Sequence, residues 1–390
     1  MRILSISTLY PSNAQPNFGV FVERQMQAVA QRGDAELLLI NPIGLPPWPL
    51  SQHPRYRALT RLPAEELRGG VKVLRPRFRL LPGIGGRFNP GAIVRAVLPL
   101  ARKLHAEAPF DLVDAQFFYP DGPAAARIAA ALELPLSIKA RGADIHHWGT
   151  QKGTAAQVLA AGRQAAGMLA VAQGIADDMA ALGLPRERIT LHRTGLDRSR
   201  FRPLDRAAAR AKFGFAADVP LLACVGALIP RKGQAYVIDA MALLPRAELA
   251  LAGAGPDEAM LRTRAAQLGV AERVHFLGPV PHAELPELLS AADVFVMPSS
   301  SEGLANAWIE ALACGVPVVT TPIPGALELI TDPAWGRFAA RDGREIAEAV
   351  VALLQSPPAQ AEVVRATEGY SWEENAAQLV AHWARLTGKS

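Results

Sequence analysis

The chain has 390 residues, half of them hydrophobic, which is more than one core comfortably serves and leads us to expect two domains. No uninterrupted apolar run approaches a membrane span, and Met1-Arg2 leads straight into Ile3-Leu4-Ser5-Ile6, a first strand rather than a signal peptide. The two cysteines, Cys224 and Cys314, lie in apolar segments with no Cys/His cluster at ligand spacing, which argues against a disulfide framework or a metal site and suits reduced core thiols in a cytoplasmic protein.

Short strand-like runs alternate with Ala-rich helical stretches, the pattern of doubly wound parallel sheets. In the first half, strands are predicted at Arg2–Leu9, Glu36–Ile40, Val71–Arg75, Leu112–Ala115, Pro135–Ala140, Gly167–Ala172 and Ile189–His192. Helices are predicted at Val20–Gln31, Ala92–Glu107, Pro123–Leu132, Ala156–Gln164 and Ile175–Leu182, with Asn41–Leu67 a long irregular connection. A charged, Ala-rich stretch after Phe201-Arg202-Pro203-Leu204 marks a boundary. Beyond it, strands are predicted at Val219–Val225, Glu248–Ala252, Val274–Phe276, Val294–Met297 and Pro317–Thr320. Helices are predicted at Gln234–Leu243, Glu258–Leu268, Glu284–Ala291, Ala305–Ala313 and Glu345–Gln355, and a last one runs to about Leu386, with Ser371 as its cap and Glu374 three residues on.

Charge is shared unevenly. Residues 1–200 hold 25 Lys/Arg against 15 Asp/Glu, whereas residues 201–390 hold 16 against 21. The excess concentrates between Arg55 and Lys103, with 12 basic residues and only Glu65 and Glu66 to oppose them. Such a band attracts an anionic membrane surface, a lipid diphosphate or nucleic acid. Pro76, Pro82, Gly83, Gly85 and Pro90 interrupt it, so it is no regular amphipathic helix. Arg75, Arg77 and Arg79 are its candidate acceptor or membrane contacts; a solvated basic face without a partner is the plainer alternative. Nucleic acid is set aside, because interleaved aromatics and known binding modules are missing.

The most informative stretch is residues 301–321, where Glu302 and Glu310 stand eight positions apart before a turn at Gly315-Val316-Pro317. On a continuous helix eight residues rise roughly 12 Å and return to nearly the same face, so both carboxylates could meet one long ligand. Carboxylates accept hydroxyl hydrogen bonds, and free N–H groups at a helix start suit phosphates. Two such residues alone would describe any solvated helix face. The surrounding Ser-x-x-Glu-Gly, Glu-Ala-x-Ala-Cys-Gly and Pro-Val-Val, however, resemble the Glu-x7-Glu motif of retaining glycosyltransferases with the GT-B fold, most closely glycosyltransferase family 4.

That resemblance implies two Rossmann-like domains facing across a cleft. Residues 1–200 would bind the acceptor, with 371–390 packing back on them, and residues 201–370 would bind a nucleotide-diphosphate sugar. Gly226-Ala227-Leu228-Ile229-Pro230-Arg231-Lys232-Gly233 is similar to the family's Gly-x-Leu-x-x-x-Lys-Gly segment, which makes Arg231 and Lys232 diphosphate ligands that stabilise the leaving group. Glu302 would hold sugar hydroxyls and Glu310 the ribose, with Gly303, Leu304, Ala305 and Asn306 beside the phosphates. Gly253 ends a strand in a turn near the nucleotide, and Pro281 belongs to the base-binding edge. Gly19 resembles the donor loop's glycine, letting backbone N–H groups approach phosphate. Pro322-Ile323-Pro324-Gly325-Ala326-Leu327-Glu328 departs from the family's Gly-Gly-x-Pro-Glu loop, with Pro324 at the first Gly and Leu327 at the Pro.

In the first domain, Lys139-Ala140-Arg141-Gly142-Ala143-Asp144 has Arg141 where the family often has a sugar-contacting His. Arg141 would hydrogen-bond sugar or phosphate, with Asp144 orienting it. Asp121 is either an N-cap or a border of the acceptor site. No carboxylate stands out as a nucleophile, and no Asp-x-Asp is set in a metal-site context. The resemblance therefore implies front-face attack without metal or cofactor, the nucleotide sugar being a co-substrate. The acceptor would be a lipid-linked glycan, in surface polysaccharide or glycolipid assembly, with the enzyme cytoplasmic or peripheral on the inner membrane face. The competing readings are an epimerase or phosphorylase of the same fold, and a degenerate transferase acting as a binding partner. A phosphorylase would need a pyridoxal-phosphate lysine context that the chain does not show.

Overall fold

Ile3, Leu4 and Ile6 of strand β1 (Arg2–Ile6) are wholly buried on both faces, as a parallel sheet covered by helices on each side requires. In the computed structural model, which describes residues 1–83 and 86–389, the chain divides into two compact units. The first is Met1–Gly195 with Ser371–Ser390 and the second is Leu196–Tyr370. The division falls before the expected Phe201 because Leu196 and Phe201 are both buried in the second unit's core. Gly85, named above among the breaks in the basic band, lies outside the described residues.

The first unit adds β2 (Glu36–Ile40), β3 (Ile43–Leu45), β4 (Glu65–Arg68), β5 (Val71–Leu74), β6 (Arg77–Arg79), β7 (Leu112–Ala115), β8 (Leu136–Ala140), β9 (Gly167–Ala170) and β10 (Ile189–Leu191). Eight of these strands form one sheet in the order β10-β9-β8-β7-β1-β2-β5-β4, parallel except for β4 against β5. The expected strand Arg2–Leu9 stops at Ile6 because Asn41 Nδ2 takes the Ser7 carbonyl and the Thr8 N–H turns to the Asp121 carboxylate. The stretch Asn41–Leu67, expected to be irregular, is organised instead. Strand β3 pairs with β6, short helical turns follow at Leu50–Gln52, Pro54–Arg57 and Leu59–Arg61, and Arg77 donates to the Thr60 and Leu62 carbonyls. The last helix, Trp372–Thr387, is capped by the Ser371 hydroxyl, which accepts the Glu374 N–H. It buries Ala376, Leu379, Val380 and Trp383, one helical stripe, in this unit's core against Val22, Met26 and Val29 of the helix Val20–Arg32.

The second unit holds β11 (Leu221–Val225), β12 (Glu248–Ala252), β13 (Val274–Gly278), β14 (Val294–Val296), β15 (Val318–Thr320) and β16 (Gly336–Phe338), all parallel, in the order β13-β12-β11-β14-β15-β16. Strand β16 was not expected; three residues, one of them exposed, give too little pattern to read. Cys224 and Cys314 are buried, and burial pushes both thiols up to about 12. Among the described residues no helix is long and apolar enough to cross a membrane, and no cluster of three or more His, Cys, Asp or Glu is placed to hold a metal.

Candidate active site

In the second unit, chain order reverses direction between β11 and β14. From β11 the chain winds outward through β12 and β13, then returns to β14 on the other side. The crevice outside the carboxyl ends of strands at such a switch point is where open α/β sheets bind ligands. The loops after these two strands are zipped together: the Ser300 N–H donates to the Arg231 carbonyl, and Arg231 Nη1 donates to the Ser301 carbonyl at 2.6 Å. Glu302 Oε1 lies 2.7 Å from Arg231 Nη1 and 2.7 Å from Lys232 Nζ, so one carboxylate is shared by both cations. Glu302 and Lys232 are largely buried, while Arg231 keeps 40% of its side chain exposed. The Glu302 carboxylate was expected to face sugar hydroxyls; here it is committed to the two cations.

The helix that follows begins at Asn306, with Ala305 at its N-cap and no side chain capping its first N–H groups among the described residues. Glu302, Gly303 and Leu304 therefore precede the helix, and the expectation of one helical face carrying both Glu302 and Glu310 does not hold. The chain ahead of Asn306 bends at Gly303-Leu304 and is not helical. Glu310 does lie within the helix Asn306–Ala313, and its Oε1 accepts from His282 Nε2 at 3.0 Å. Gly226 and Gly253 end β11 and β12 side by side. A Cβ at Gly253 would sit 1.9 Å from the Gly226 carbonyl oxygen, so this glycine serves close backbone packing beneath the Arg231 loop. Pro324 begins a short helix, Pro324–Leu329, where proline suits the first turn.

The first unit has its own switch point, between β1 and β7. Asp121, fully buried after β7, accepts the Thr8 N–H at 2.9 Å from the loop after β1. Burial pushes its carboxyl up to about 7, against the opposing Thr8 hydrogen bonds. Arg141 donates from Nε to the Gln116 carbonyl at 2.7 Å and from Nη2 to Gln116 Oε1 at 2.8 Å, with its guanidinium 4.7 Å from the Phe21 ring centre. Burial lowers it to about 10, opposed first by Asp144. Asp144 acts on the Arg141 turn itself. Its buried carboxylate accepts the N–H groups of Phe118, Arg141 and Gly142, so it holds the Arg141 turn and has no free face for sugar. At Gly19, with φ +77°, the missing side chain makes room for the chain's own Leu9 carbonyl, 2.7 Å from where a Cβ would stand.

The basic band is sorted by burial. Arg75 is buried, bonded to Asn41 and the Pro11 carbonyl and paired with Glu66 at 2.7 Å, which removes it as a surface contact. It follows directly on β5, and Glu66 of the neighbouring β4 meets it there. Arg68 is likewise engaged by Glu23, and Lys72 by Glu65. Arg77 and Arg79 flank buried Phe78 and point outward.

Two family models cover nearly the whole chain: glycosyl transferases group 1 over residues 205–369, and a glycosyl transferase 4-like domain over residues 19–195. The chain belongs to the group 1 glycosyltransferases of family 4. A Bacillus subtilis relative named for teichuronic acid biosynthesis, the glycosyltransferase TuaC, is 29% identical over 359 residues, 90% of this chain and 88% of that one. A GDP-mannose-dependent phosphatidylinositol monomannoside mannosyltransferase of Corynebacterium glutamicum is 36% identical over 200 residues, 46% of this chain and 52% of that one. Among solved structures, sucrose-phosphate synthase of Thermosynechococcus elongatus superposes with a TM-score of 0.82 at 20% identity, over all of both chains. Anabaena HepE in complex with UDP superposes at 0.75 and 20% identity, over 99% of this chain and 100% of that one. The fold of this glycosyltransferase is GT-B.

Sequence reasoning passed over several polar residues of the glycosyltransferase. Gln116 joins Arg141 to Gln25, whose Oε1 accepts from Lys139 Nζ at 2.9 Å. The Lys139 Nζ lies 2.7 Å from His192 Nδ1, and His192 Nε2 donates to the Asn375 carbonyl at 2.8 Å. That carbonyl can only accept, so Nδ1 is the bare acceptor facing the lysine. Burial holds the Lys139 amine well below its usual value. A lysine within a strand whose other residues are all buried was the one sequence signal for this network. Nothing local in the sequence ties His282 to Glu310, 28 positions away.

Proposed function

We propose that this transferase is a retaining enzyme that moves a sugar from a nucleotide-diphosphate sugar to a hydroxyl of a lipid-linked glycan, in polysaccharide or glycolipid assembly. The observation that carries this reading is the convergence of Arg231, Lys232 and Glu302 at the β11/β14 switch point. Two cations held there can neutralise the charge that builds on the departing diphosphate. Glu310 receives the ribose, and Gly303, Leu304, Ala305 and Asn306 flank the phosphates at an uncapped helix start. The phosphate oxygen freed on the donor takes the acceptor's proton during front-face attack. The chemistry proceeds without a bound metal, the two side-chain cations standing where a metal would act. The names of relatives, one a teichuronic acid glycosyltransferase and one a lipid mannosyltransferase, support a polymer or lipid acceptor.

The acceptor side is cytoplasmic and peripheral to an anionic leaflet. Exposed Trp48, Leu50, Leu81 and Phe88 lie in the same excursion as outward-facing Arg55, Arg57, Arg77 and Arg79. The Leu80 N–H donates to the Leu45 carbonyl, which sets the chain leading to Leu81 beside the chain leading to Trp48. Apolar side chains among cations suit a headgroup boundary.

Calorimetry with UDP, GDP, ADP, dTDP and CDP in EDTA, then with the matching sugar conjugates, tests the donor site. One base is expected to bind, and a failure of all five would overturn the reading. Anomeric analysis of the product decides retention. Arg77→Glu with Arg79→Glu should release the protein from anionic vesicles while nucleotide binding is unchanged; unchanged vesicle binding would remove the membrane part.

A further inference from the structure

His282 stands at the tip of the loop after β13, where the Glu284 N–H closes a turn on the Pro281 carbonyl. Its ring packs edge-on against Phe201, with centroids 5.2 Å apart and planes at 70°. Phe201 is buried in the second unit's core, so the ring rests on a fixed wall. The other edge of the ring presents Nε2 to Glu310 Oε1 at 3.0 Å. A carboxylate only accepts, so Nε2 carries the proton and donates. Both partners are mostly buried, with 23% and 14% of their side chains exposed.

A glutamate in the middle of a helix has three rotatable side-chain bonds, and a free one samples several carboxylate directions. The hydrogen bond from His282 selects one direction and leaves Oε2, with the second lone pair of Oε1, to accept from a ligand. Two acceptor sites about 2.2 Å apart on one rigid group match a vicinal diol, each hydroxyl finding its own oxygen. A site organised in this way rejects an analogue that lacks one hydroxyl, because the oxygen left behind loses water without gaining a donor.

We propose that His282 is the positioning residue for Glu310, fixing its carboxylate to accept both hydroxyls of the donor's ribose and thereby setting a preference for ribonucleotides over 2′-deoxyribonucleotides. This rests on the reading of Glu310 as the ribose ligand. The side chain acts through Glu310 and touches no reacting atom.

The test is the ratio of dissociation constants for a 2′-deoxyribonucleoside diphosphate and its ribo counterpart, using whichever of UDP, GDP or ADP binds. Wild type is expected to prefer the ribonucleotide by about tenfold or more. His282→Phe keeps a ring against Phe201 but removes the donor, and should reduce the ratio to about twofold, raising donor KM with little change in kcat. His282→Gln, which places an amide N–H at similar reach, should restore most of the preference. Should His282→Phe not fold, His282→Asn, too short to reach Glu310, makes the same comparison. A ratio that stays at the wild-type level without the donor, a loss equally complete in His282→Gln, or a wild type indifferent to the 2′-hydroxyl each overturns the assignment. If no ribonucleoside diphosphate binds wild type, the donor-site reading fails, and this one with it.

Discussion

Replacing Glu302 with Gln should move two properties in opposite directions. Glu302 Oε1 is 2.7 Å from each of the cations proposed to hold the donor's diphosphate, so on that proposal phosphate must compete with a carboxylate already in place. At an effective dielectric of about 20, unit charges some 4 Å apart attract by about 4 kcal/mol before desolvation and screening are subtracted. Arg231 is 40% exposed, which brings its share down to the surface value of about 0.2–1 kcal/mol. Lys232, at 14% exposed, retains more. We expect a net gain of about 1–2 kcal/mol in nucleoside-diphosphate binding, roughly 5- to 30-fold in Kd. Arg231 keeps its bond to the Ser301 carbonyl, so the variant's loop should remain in place. Turnover should fall in the same variant, because a neutral amide no longer fixes Arg231 and Lys232 in one geometry by charge. Calorimetry with the cognate nucleoside diphosphate at two salt concentrations, paired with a transfer assay, reads both effects. Unchanged or weaker diphosphate binding in Glu302→Gln would refute the competition argument, and undiminished turnover would refute the site.

Lys232→Ala should lower kcat by about 10²–10³ with the melting profile intact, since it removes a charge aimed at the leaving group; near-normal turnover would sink its assigned role. Asp121→Asn should flatten part of the pH dependence of stability. The folded carboxyl, at about 7, binds its proton more tightly than the unfolded chain, so wild-type stability is greatest below about pH 4 and declines as pH rises to about 7. The gross span is about 4 kcal/mol, and the variant's melting temperature should gain on wild type from pH 4 to pH 8; parallel curves would contradict it. Gly253→Ala forces a methyl against the Gly226 carbonyl and should cost about 1–3 kcal/mol, with weakened nucleotide binding as the Arg231 loop shifts. A variant as stable as wild type would show that the packing there is loose.

How much was legible in advance can be judged from particular residues. The alternation of apolar runs with Ala-rich stretches located most strands and helices, because burial between two helix layers demands continuous apolar strands. The cap at Ser371, with Glu374 three residues on, announced the last helix through local chemistry. Arg231, Lys232, Glu302 and Glu310 could be named because their spacing resembles a family motif. Their pairing could not. Arg231 and Glu302 meet across 71 positions because β14 returns beside β11, and strand order is a product of packing rather than of local pattern. Side-chain direction is likewise decided by the neighbours a fold supplies. Arg75 and Arg77 are two residues apart, yet Glu66 on β4 pairs with the buried first while the second caps loop carbonyls at the surface. Asp144 spends its carboxylate on three backbone N–H groups, and His282 finds Glu310 only when the loop after β13 reaches the helix Asn306–Ala313. The sequence by itself determined most of the secondary structure, the two-domain plan and the residue types of a transfer site. Only the tertiary structure decided which of those residues touch, since a charge settles where an opposite charge or an unpaired backbone group lies within reach, and that partner is almost always remote in the chain.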